Sequence, residues 1–250
     1  HMKKIACITG ASSGIGRATA QSLAKEGFDL ILCGRRIERL EELQASLSVN
    51  SIILTFDVSN QSSVIQAFDS LPTQWKNIDV LVNNAGNAHG MSAIQEGDVA
   101  DWDAMMSSNV TGLLYVSKEV IKGMVERKSG HIINLSSIAG KQTYPNGNVY
   151  CASKAAVEAL SAGMRQDLNP FGIKVSNVAP GAVNTEFSEV RFKGDQTKAE
   201  AVYAGFEPLL AEDVAELIRY IVMAPAHVNL ADVTILPTAQ ASAFQILRKN

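Results

Sequence analysis

The sequence predicts a single domain with a doubly wound α/β fold, and three observations lead to this prediction. Apolar segments of strand length alternate with longer amphipathic segments along most of the chain. Some apolar segments, such as Ile52-Ile53-Leu54, are continuous, which is typical of parallel strands covered by helices on both faces. A glycine-rich turn over residues 10–16 follows the first apolar segment, where such a fold places its first crossover.

Seven segments are predicted as strands of one parallel sheet. They are residues 4–9, 29–33, 51–56, 80–83, 131–136, 174–179 and 232–236. Between them, residues 36–43 place leucines three positions apart with charges between, as in a helix with one buried face, and a longer helix is expected over 149–169. Gly27, Gly130 and Gly172 lie where helices should end before the next strand.

One stretch of the chain fits neither the helix nor the strand period. It covers about residues 186–207, called the substrate segment below, and it mixes charges, glycines and aromatic residues. A long irregular insert in such a fold is predicted to be a lid or binding loop, with disorder as the alternative. No repeat, linker or shift in composition divides residues 1–250 into more than one domain.

Composition excludes several classes of protein. Hydrophobic residues make up 46% of the 250 residues and charged residues 19%, enough for a large core. The net charge of −3 and the scattered lysines and arginines leave no basic stripe, so nucleic acid is not an expected partner. No apolar run reaches the length of about 18 residues that a membrane span needs.

Three cysteines, Cys7, Cys33 and Cys151, lack the spacing of metal ligands, so no metal is expected. Their odd number fits reduced thiols, and with no secretory signal this predicts a cytoplasmic protein. The first two residues, His1-Met2, resemble the remnant of a cleaved expression tag.

The glycine-rich turn predicts a dinucleotide site. Gly10 follows a predicted strand, and Gly14 and Gly16 open a helix, so backbone N–H groups can face a pyrophosphate at the positive end of that helix. The spacing is G-x-x-x-G-x-G rather than G-x-G-x-x-G, so the prediction depends on the strand and helix around the turn.

The end of the second predicted strand indicates which dinucleotide binds. An NAD site usually places a carboxylate there for the ribose 2′-hydroxyl, whereas this chain has Arg35-Arg36. An arginine fork holds a 2′-phosphate, so NADP is favoured. Alternatively, the two arginines only begin a charged surface helix. Asp57-Val58, after the third strand, is placed to contact adenine, although Asp57 could equally cap the next helix.

Tyr150 and Lys154 predict acid–base chemistry beside that cofactor. On a helix they stand at i and i+4, so phenol and ammonium project from one face. A tyrosine with a pKa near ~10 is a poor base at neutral pH, and a nearby cation favours its phenolate. We therefore expect Lys154 to lower the pKa of Tyr150, which gives a base suited to oxidation of an alcohol.

Together these motifs resemble the short-chain dehydrogenase/reductase family. The resemblance rests on Thr9-Gly10-x-x-x-Gly14-Ile15-Gly16, Asn83-Asn84-Ala85-Gly86, Ser137, Tyr150-x-x-x-Lys154 and Pro180-Gly181, all in order along essentially the whole chain. It implies a Rossmann-like sheet of seven parallel strands, an oxidoreductase activity, and assembly as a homotetramer.

The resemblance also implies a catalytic tetrad of Asn109, Ser137, Tyr150 and Lys154. Tyr150 would take the substrate proton, Ser137 would hydrogen-bond the same oxygen, and Lys154 would bind the nicotinamide ribose. A proton relay would run through water to Asn109, and Ser136, next to the catalytic serine, is expected to be structural. The implied cofactor contacts are Gly10, Ser12, Ser13, Gly14, Ile15, Gly16, Arg35, Arg36, Asp57, Val58, Asn84, Ala85, Gly86, Tyr150, Lys154, Pro180, Gly181, Val183 and Thr185.

Further segments resemble the NADP-dependent 3-hydroxy acid dehydrogenase group, which includes serine and L-allo-threonine dehydrogenases. They are Gly147-Asn148-Val149-Tyr150, the run that begins Thr185-Glu186-Phe187-Ser188, and Pro225-Ala226-His227-Val228-Asn229. The implied substrate is a small 3-hydroxy acid such as serine, L-allo-threonine or 3-hydroxypropionate.

Arg191 is the candidate for the substrate carboxylate, with a surface salt bridge as its alternative role. Residues 142–144 are expected to wall the same pocket. Two other functions stay open: a reductase of other ketones or 3-oxoacyl groups, and a dinucleotide-sensing regulator without catalysis.

Overall fold

The computed structural model describes residues 3–249, and seven of its strands form one parallel sheet. The nine strands within these residues are β1 (Ile5–Thr9), β2 (Asp29–Gly34), β3 (Ser51–Thr55), β4 (Val80–Asn83), β5 (Gly130–Leu135), β6 (Ile173–Pro180), β7 (Val183–Asn184), β8 (Leu209–Leu210) and β9 (Asp232–Ile235). The sheet order is β3-β2-β1-β4-β5-β6-β9, while β7 and β8 pair separately. The direction of winding reverses between β1 and β4, so a crevice opens at their carboxyl ends.

Helices cover both faces of this sheet. They are α1 (Gly14–Lys25), α2 (Ile37–Ser46), α3 (Gln61–Asp69), α4 (Val99–Met106), α5 (Gly112–Arg127), α6 (Asn148–Leu168), α7 (Phe187–Arg191), α8 (Gln196–Ala201) and α9 (Ala211–Met223). Buried side chains of α1, α2 and α9 form one core with the sheet, and those of α3, α5 and α6 form a second core on the opposite face. Neighbouring strand residues alternate between the two cores: Ile8 belongs to the first and Cys7 to the second.

All seven predicted strands are present, each with bounds within one residue of the prediction. The helix predicted over 149–169 is α6, shifted by one residue. Gly27 and Gly172 have φ values of +85° and +68°, as predicted for glycines that end helices. Gly130 does not have this role, because it begins β5 and the left-handed residue that ends α5 is Lys128.

The substrate segment is more regular than predicted. It contains α7 and α8, which are five and six residues long and therefore too short to produce a visible helical period. Asp195 begins α8, and its carboxylate accepts a hydrogen bond of 3.1 Å from the backbone N–H of Lys198. These two helices replace the irregular insert that the sequence predicts.

The sequence predicts neither a membrane span nor a metal site. Within residues 3–249, no helix combines the length and the apolarity required to cross a bilayer. The same residues contain no cluster of three or more His, Cys, Asp or Glu side chains that could hold a metal ion. His1-Met2, the predicted tag remnant, lies outside the described residues.

Candidate active site

A cleft of about 480 Å³ opens at the carboxyl ends of the central strands. Its size falls in the range of ligand sites. Every residue predicted to contact the cofactor lines this cleft except Gly16, and Ser137 lines it as well. Of the predicted tetrad, only Asn109 is set back from the cleft wall.

The glycines of the first turn are required by its geometry. Gly10 and Gly14 have φ values of +65° and +51°, which other residues rarely adopt. A Cβ on Gly16 would lie 2.2 Å from the carbonyl oxygen of Gly10, so a side chain there would separate α1 from the turn. The Asn84 amide holds the turn from the other side and donates to the carbonyl oxygen of Thr9 at 3.0 Å.

The start of α1 is left open toward the cleft. Ser13 begins the helix, yet its hydroxyl does not cap the backbone. That hydroxyl instead accepts a hydrogen bond of 2.8 Å from Nη2 of Arg36, and the same nitrogen donates to the Ser12 hydroxyl at 3.1 Å. Because no side chain satisfies the first-turn N–H groups, they are available to an anion such as a pyrophosphate.

Arg36 lies at the center of a charged cluster at one end of the cleft. It begins α2, as the alternative reading of Arg35-Arg36 proposed, but its guanidinium turns back to the glycine-rich turn. Nη1 of Arg36 forms an ion pair of 3.1 Å with Glu186, and Arg39 pairs with the other oxygen of the same carboxylate. Arginine thus supplies most of the positive charge at this end.

Asp57 lies beside this cluster and does not cap the following helix. The cap of α3 is Asn60, whose side-chain oxygen accepts from the N–H of Ser63 at 3.0 Å. Asp57 instead accepts from the N–H of Ser59 at 2.9 Å and pairs with Arg35 at 3.6 Å. Burial raises the pKa of Asp57, but these hydrogen bonds and the Arg35 charge outweigh it and lower the pKa.

Tyr150 and Lys154 occupy the other end of the cleft. α6 places both on its buried face, with exposed fractions of 8% and 7%. The Lys154 ammonium donates to the carbonyl oxygen of Leu135 at 2.9 Å. Burial lowers the pKa of Lys154 to about 8, although the charge of Glu158 acts in the opposite direction.

Burial also shifts the pKa of the Tyr150 phenol. It raises this pKa, whereas the sequence predicts that Lys154 lowers it. The pKa of Tyr150 is raised well above its ordinary value, first by burial and then by neighbouring Tyr144. Arg191 and the Ser137 hydroxyl lower it, but by less than burial raises it. The guanidinium carbon of Arg191 lies 5.3 Å from the centroid of the Tyr150 ring. The cation that acts on the phenol is therefore Arg191, and Lys154 does not have the predicted effect on the Tyr150 pKa.

Ser137 lies at the end of β5, where a short 3₁₀ turn (Ile138–Gly140) begins. Its hydroxyl oxygen accepts from the N–H of Ala139 at 3.1 Å, and the same oxygen donates to the carbonyl oxygen of Pro180 at an oxygen–oxygen distance of 3.5 Å. This weak bond leaves the hydrogen free to turn toward a ligand. The buried Ser136 hydroxyl instead donates to the carbonyl oxygen of Lys154 at 3.3 Å, which fits its expected structural role.

Asn109 lies in a π-helical turn (Ser107–Thr111) between α4 and α5. Both of its amide hydrogens are used, one by the carbonyl oxygen of Asn87 at 2.8 Å and one by the Ser153 hydroxyl at 3.0 Å. Its side-chain oxygen accepts from the N–H of Asn87 at 2.8 Å. The side chain thus fixes the loop after β4 against α6, next to Lys154.

The loop after β6 closes the cleft opposite the glycine-rich turn. The Thr185 side chain lies 3.4 Å from the position a Cβ would take on Gly14, so the two loops nearly touch. The Thr185 hydroxyl accepts from the N–H of Phe187 at 3.3 Å. Phe187 then packs against Tyr150, with ring centroids 5.6 Å apart, so the substrate segment begins beside Tyr150.

Sequence reasoning missed three contributors to this site. Arg39 follows Arg36 by one helical turn, and that spacing could have indicated a shared anion site. Glu186 is about 150 positions from both arginines, and no local pattern connects them. Asn87 follows the recognised Asn-Asn-Ala-Gly turn directly but belongs to no motif.

Comparison with known proteins agrees with this geometry. The family model of short chain dehydrogenases matches residues 4–196. The NADP-dependent 3-hydroxy acid dehydrogenase of Escherichia coli strain K12 is 43% identical over 240 residues, which covers 96% of this chain and 97% of that protein. Sulfoacetaldehyde reductase 2 of Chromohalobacter salexigens is 45% identical over 251 residues, with 99% and 100% covered.

A solved structure is similar over nearly the same extent. The closed form of serine dehydrogenase in complex with NADP⁺ matches 98% of this chain and 100% of its own, with a TM-score of 0.94 and 42% identity. These relatives act on hydroxyl or carbonyl groups, as a site with a tyrosine, a lysine and a dinucleotide cleft would. The chain belongs to the short-chain dehydrogenase/reductase family and is an NADP-dependent oxidoreductase that acts on CH–OH groups.

Proposed function

We propose that this enzyme transfers a hydride between NADP and the 3-hydroxyl group of a small anionic hydroxy acid, such as serine, L-allo-threonine or 3-hydroxypropionate. The observation that carries the proposal is the position of Arg191. Its guanidinium lies over the Tyr150 ring and forms no ion pair with a carboxylate of residues 3–249. A cation that pairs with no carboxylate of residues 3–249 and lies beside the proposed catalytic phenol suits an acidic substrate.

Two hydrogen bonds hold Arg191 in this position. Nη2 donates to the Tyr144 hydroxyl at 2.9 Å, and Nε reaches the carbonyl oxygen of Gly90 at 3.4 Å. A guanidinium has five N–H donors, so most of them remain for a ligand. The proposed contact is between these free donors and the substrate carboxylate, while the substrate hydroxyl faces Tyr150.

The space beside Arg191 favours short substrates. A second cavity of only about 20 Å³ lies between the loop after β4, α4 and the start of α6, and Arg191 and Tyr150 both line it. Trp102 and Met105 also line it. A cavity of this volume holds one or two water-sized groups, so only a short end of a substrate fits there, and a long acyl chain would have to leave through the main cleft.

The cleft residues fit the bound cofactor. Ser12, Ser13 and the open start of α1 would hold the pyrophosphate, Arg35 and Arg36 the 2′-phosphate, and Asp57 the adenine. When bound, NADP accepts the hydride from the carbon that carries the substrate hydroxyl. The protein supplies the proton chemistry and the orientation of the two reactants.

Tyr150 would take the hydroxyl proton during oxidation and return it during reduction. Ser137 would turn its weakly held hydrogen to the same oxygen, which strengthens that contact as negative charge develops there. Lys154 would bind the nicotinamide ribose. Asn109, by joining Asn87 to Ser153 on α6, would keep that wall of the site in place.

The decisive experiment is a substrate panel with steady-state kinetics. Initial rates with NADP would be measured for serine, L-allo-threonine, 3-hydroxypropionate, 3-hydroxyisobutyrate and uncharged secondary alcohols. Arg191→Ala should raise KM for the hydroxy acids about 100-fold because it removes two or more charge-assisted hydrogen bonds, and should change KM for the alcohols about twofold. Arg219→Ala is the matched control, since Arg219 lies on α9 and pairs with Glu26 and Glu216.

Equal effects of Arg191→Ala on charged and uncharged substrates would contradict the proposal. Efficient turnover of uncharged ketones with NADPH, without turnover of hydroxy acids, would support the reductase alternative. The relative that reduces sulfoacetaldehyde favours including that sulfonate in the panel, because a guanidinium binds a sulfonate as well as a carboxylate.

We also propose a homotetramer in the cytoplasm. Several large apolar side chains are exposed on separate faces of the subunit, among them Met106 and Leu114 near the α4–α5 junction and Tyr220 on α9. Exposed apolar surface on more than one face fits assembly about more than one axis. Light scattering coupled to size exclusion would give the number of subunits, and a monomer would contradict the proposal.

A further inference from the structure

The charged cluster at the adenosine end of the cleft contains an acid that the cofactor does not require. Glu186 places its two carboxylate oxygens on two different arginines, Arg36 at 3.1 Å and Arg39 on its other side. Arg36 at the same time donates to the hydroxyls of Ser12 and Ser13 in the glycine-rich turn. The carboxylate therefore occupies an anion position between two guanidinium groups at the rim of the cleft.

The position fits the 2′-phosphate of NADP. Arg36 and Glu186 both line the main cleft, and Arg36 lies between the helix start that would face the pyrophosphate and the arginine one turn further along α2. A phosphate dianion on the ribose would meet the same two arginines that now hold the carboxylate. Two anions cannot share them without repulsion.

The carboxylate is held loosely enough to be replaced. The Arg36 and Glu186 side chains are 42% and 41% exposed, and ion pairs with that exposure add little to stability. Although burial acts to raise the pKa of Glu186, hydrogen bonds from Arg39 and Arg36 outweigh it and lower the pKa, so the group is a full anion at neutral pH. It competes with the phosphate over the whole working pH range.

We propose that Glu186 is a determinant of cofactor specificity, an internal anion that occupies the Arg36–Arg39 pair until the 2′-phosphate displaces it. Arg39 is then a further ligand of the phosphate, in addition to Arg35 and Arg36. In NAD the ribose carries a hydroxyl at this position, which has no need to displace the carboxylate and can donate a hydrogen bond to it. Glu186 therefore reduces the preference for NADP over NAD.

The test measures binding of cofactor fragments without turnover. Calorimetric titration would compare adenosine 2′,5′-bisphosphate with 5′-AMP, which lacks the 2′-phosphate, on the full-length protein. Glu186→Gln should strengthen binding of the bisphosphate about fivefold, because the competing charge is lost while the side-chain shape is kept. Binding of 5′-AMP should stay unchanged or weaken slightly.

Two controls separate competition from a structural role of the ion pair. Glu189→Gln, one turn along the same helix, should change neither affinity, since the Glu189 side chain forms no ion pair with the described residues. Arg39→Ala should weaken bisphosphate binding about tenfold, and in that background Glu186→Gln should bring a smaller gain than in the native protein.

Weaker or unchanged bisphosphate binding by Glu186→Gln would overturn the proposal. Weaker binding would indicate that the ion pair positions the arginines for the phosphate, and unchanged binding that the carboxylate does not compete with it. An unchanged affinity in Arg39→Ala would remove Arg39 from the phosphate site. Neither readout involves the substrate, so these outcomes are independent of whether the substrate is a hydroxy acid.

Discussion

The two ends of the cleft handle charge in opposite ways. At the adenosine end, Arg36 and Glu186 are about two-fifths exposed and neutralise each other in solvent. At the catalytic end, Tyr150 and Lys154 are almost fully buried, and burial shifts both pKa values toward the neutral forms. We therefore propose that the exposed end recognises charge on the cofactor, whereas the buried end prepares a proton for transfer.

This contrast changes the expected protonation state of the tyrosine. With its pKa raised, Tyr150 is a neutral phenol at pH 7, the form that can donate a proton, as reduction requires. Oxidation requires the phenolate, so it should become faster as the pH rises. Any bound group that brings positive charge to this end would make the phenolate more accessible.

The largest expected effect is at the buried end. Tyr150→Phe removes the only hydroxyl proposed to exchange a proton with the substrate, so kcat/KM should fall about 10³-fold. Affinity for NADP, measured by quenching of protein fluorescence, should change less than about threefold, because the ring still packs against Phe187. A variant that retains native kcat/KM would show that another group transfers the proton.

The next largest effect is at the exposed end. Arg36→Ala should weaken NADP binding about 100-fold, because it removes charge-assisted hydrogen bonds to the 2′-phosphate, and should leave NAD binding within about twofold. The loss for NADP should shrink at high salt, since this end is exposed to solvent.

A parallel loss for both cofactors would mean that Arg36 acts mainly through the glycine-rich turn. Its hydrogen bonds to Ser12 and Ser13 provide a direct route for such an effect. Thermal melting of the ligand-free variant would reveal it, because a loosened turn lowers stability before any cofactor is added.

The same contrast explains what the sequence could predict. The strand positions and the approach of Tyr150 and Lys154 follow from local periods and from a spacing of one helical turn. The direction of the shift in the Tyr150 pKa does not follow from local pattern, because it depends on how completely α6 and the substrate segment bury the ring. The contact of Arg191 with that ring and the ion pair between Glu186 and Arg36 join parts of the chain that share no local pattern.

Burial of the Lys154 ammonium lowers the stability of the folded protein at neutral pH. Its pKa of about 8 in the folded protein lies below its ordinary value, so below pH 8 the folded state carries an unfavourable buried charge. Lys154→Met removes this buried charge, but it also removes the hydrogen bond to the Leu135 carbonyl oxygen. The net effect should be a rise of about 1 kcal/mol in the free energy of unfolding at pH 7. This corresponds to a rise of about 3 °C in melting temperature, with loss of activity.

The sign of this gain depends on pH in a way that identifies its cause. As the pH rises from 8 toward 10.5, the native lysine loses its proton, so the advantage of Lys154→Met should shrink across that window. Lys141→Met is the opposite control, because Lys141 pairs with Asp232 at 2.7 Å and Glu158 at 2.9 Å and should lose up to about 1 kcal/mol instead. If both variants were destabilised at pH 7, Lys154 would be better solvated in the folded protein than its burial indicates.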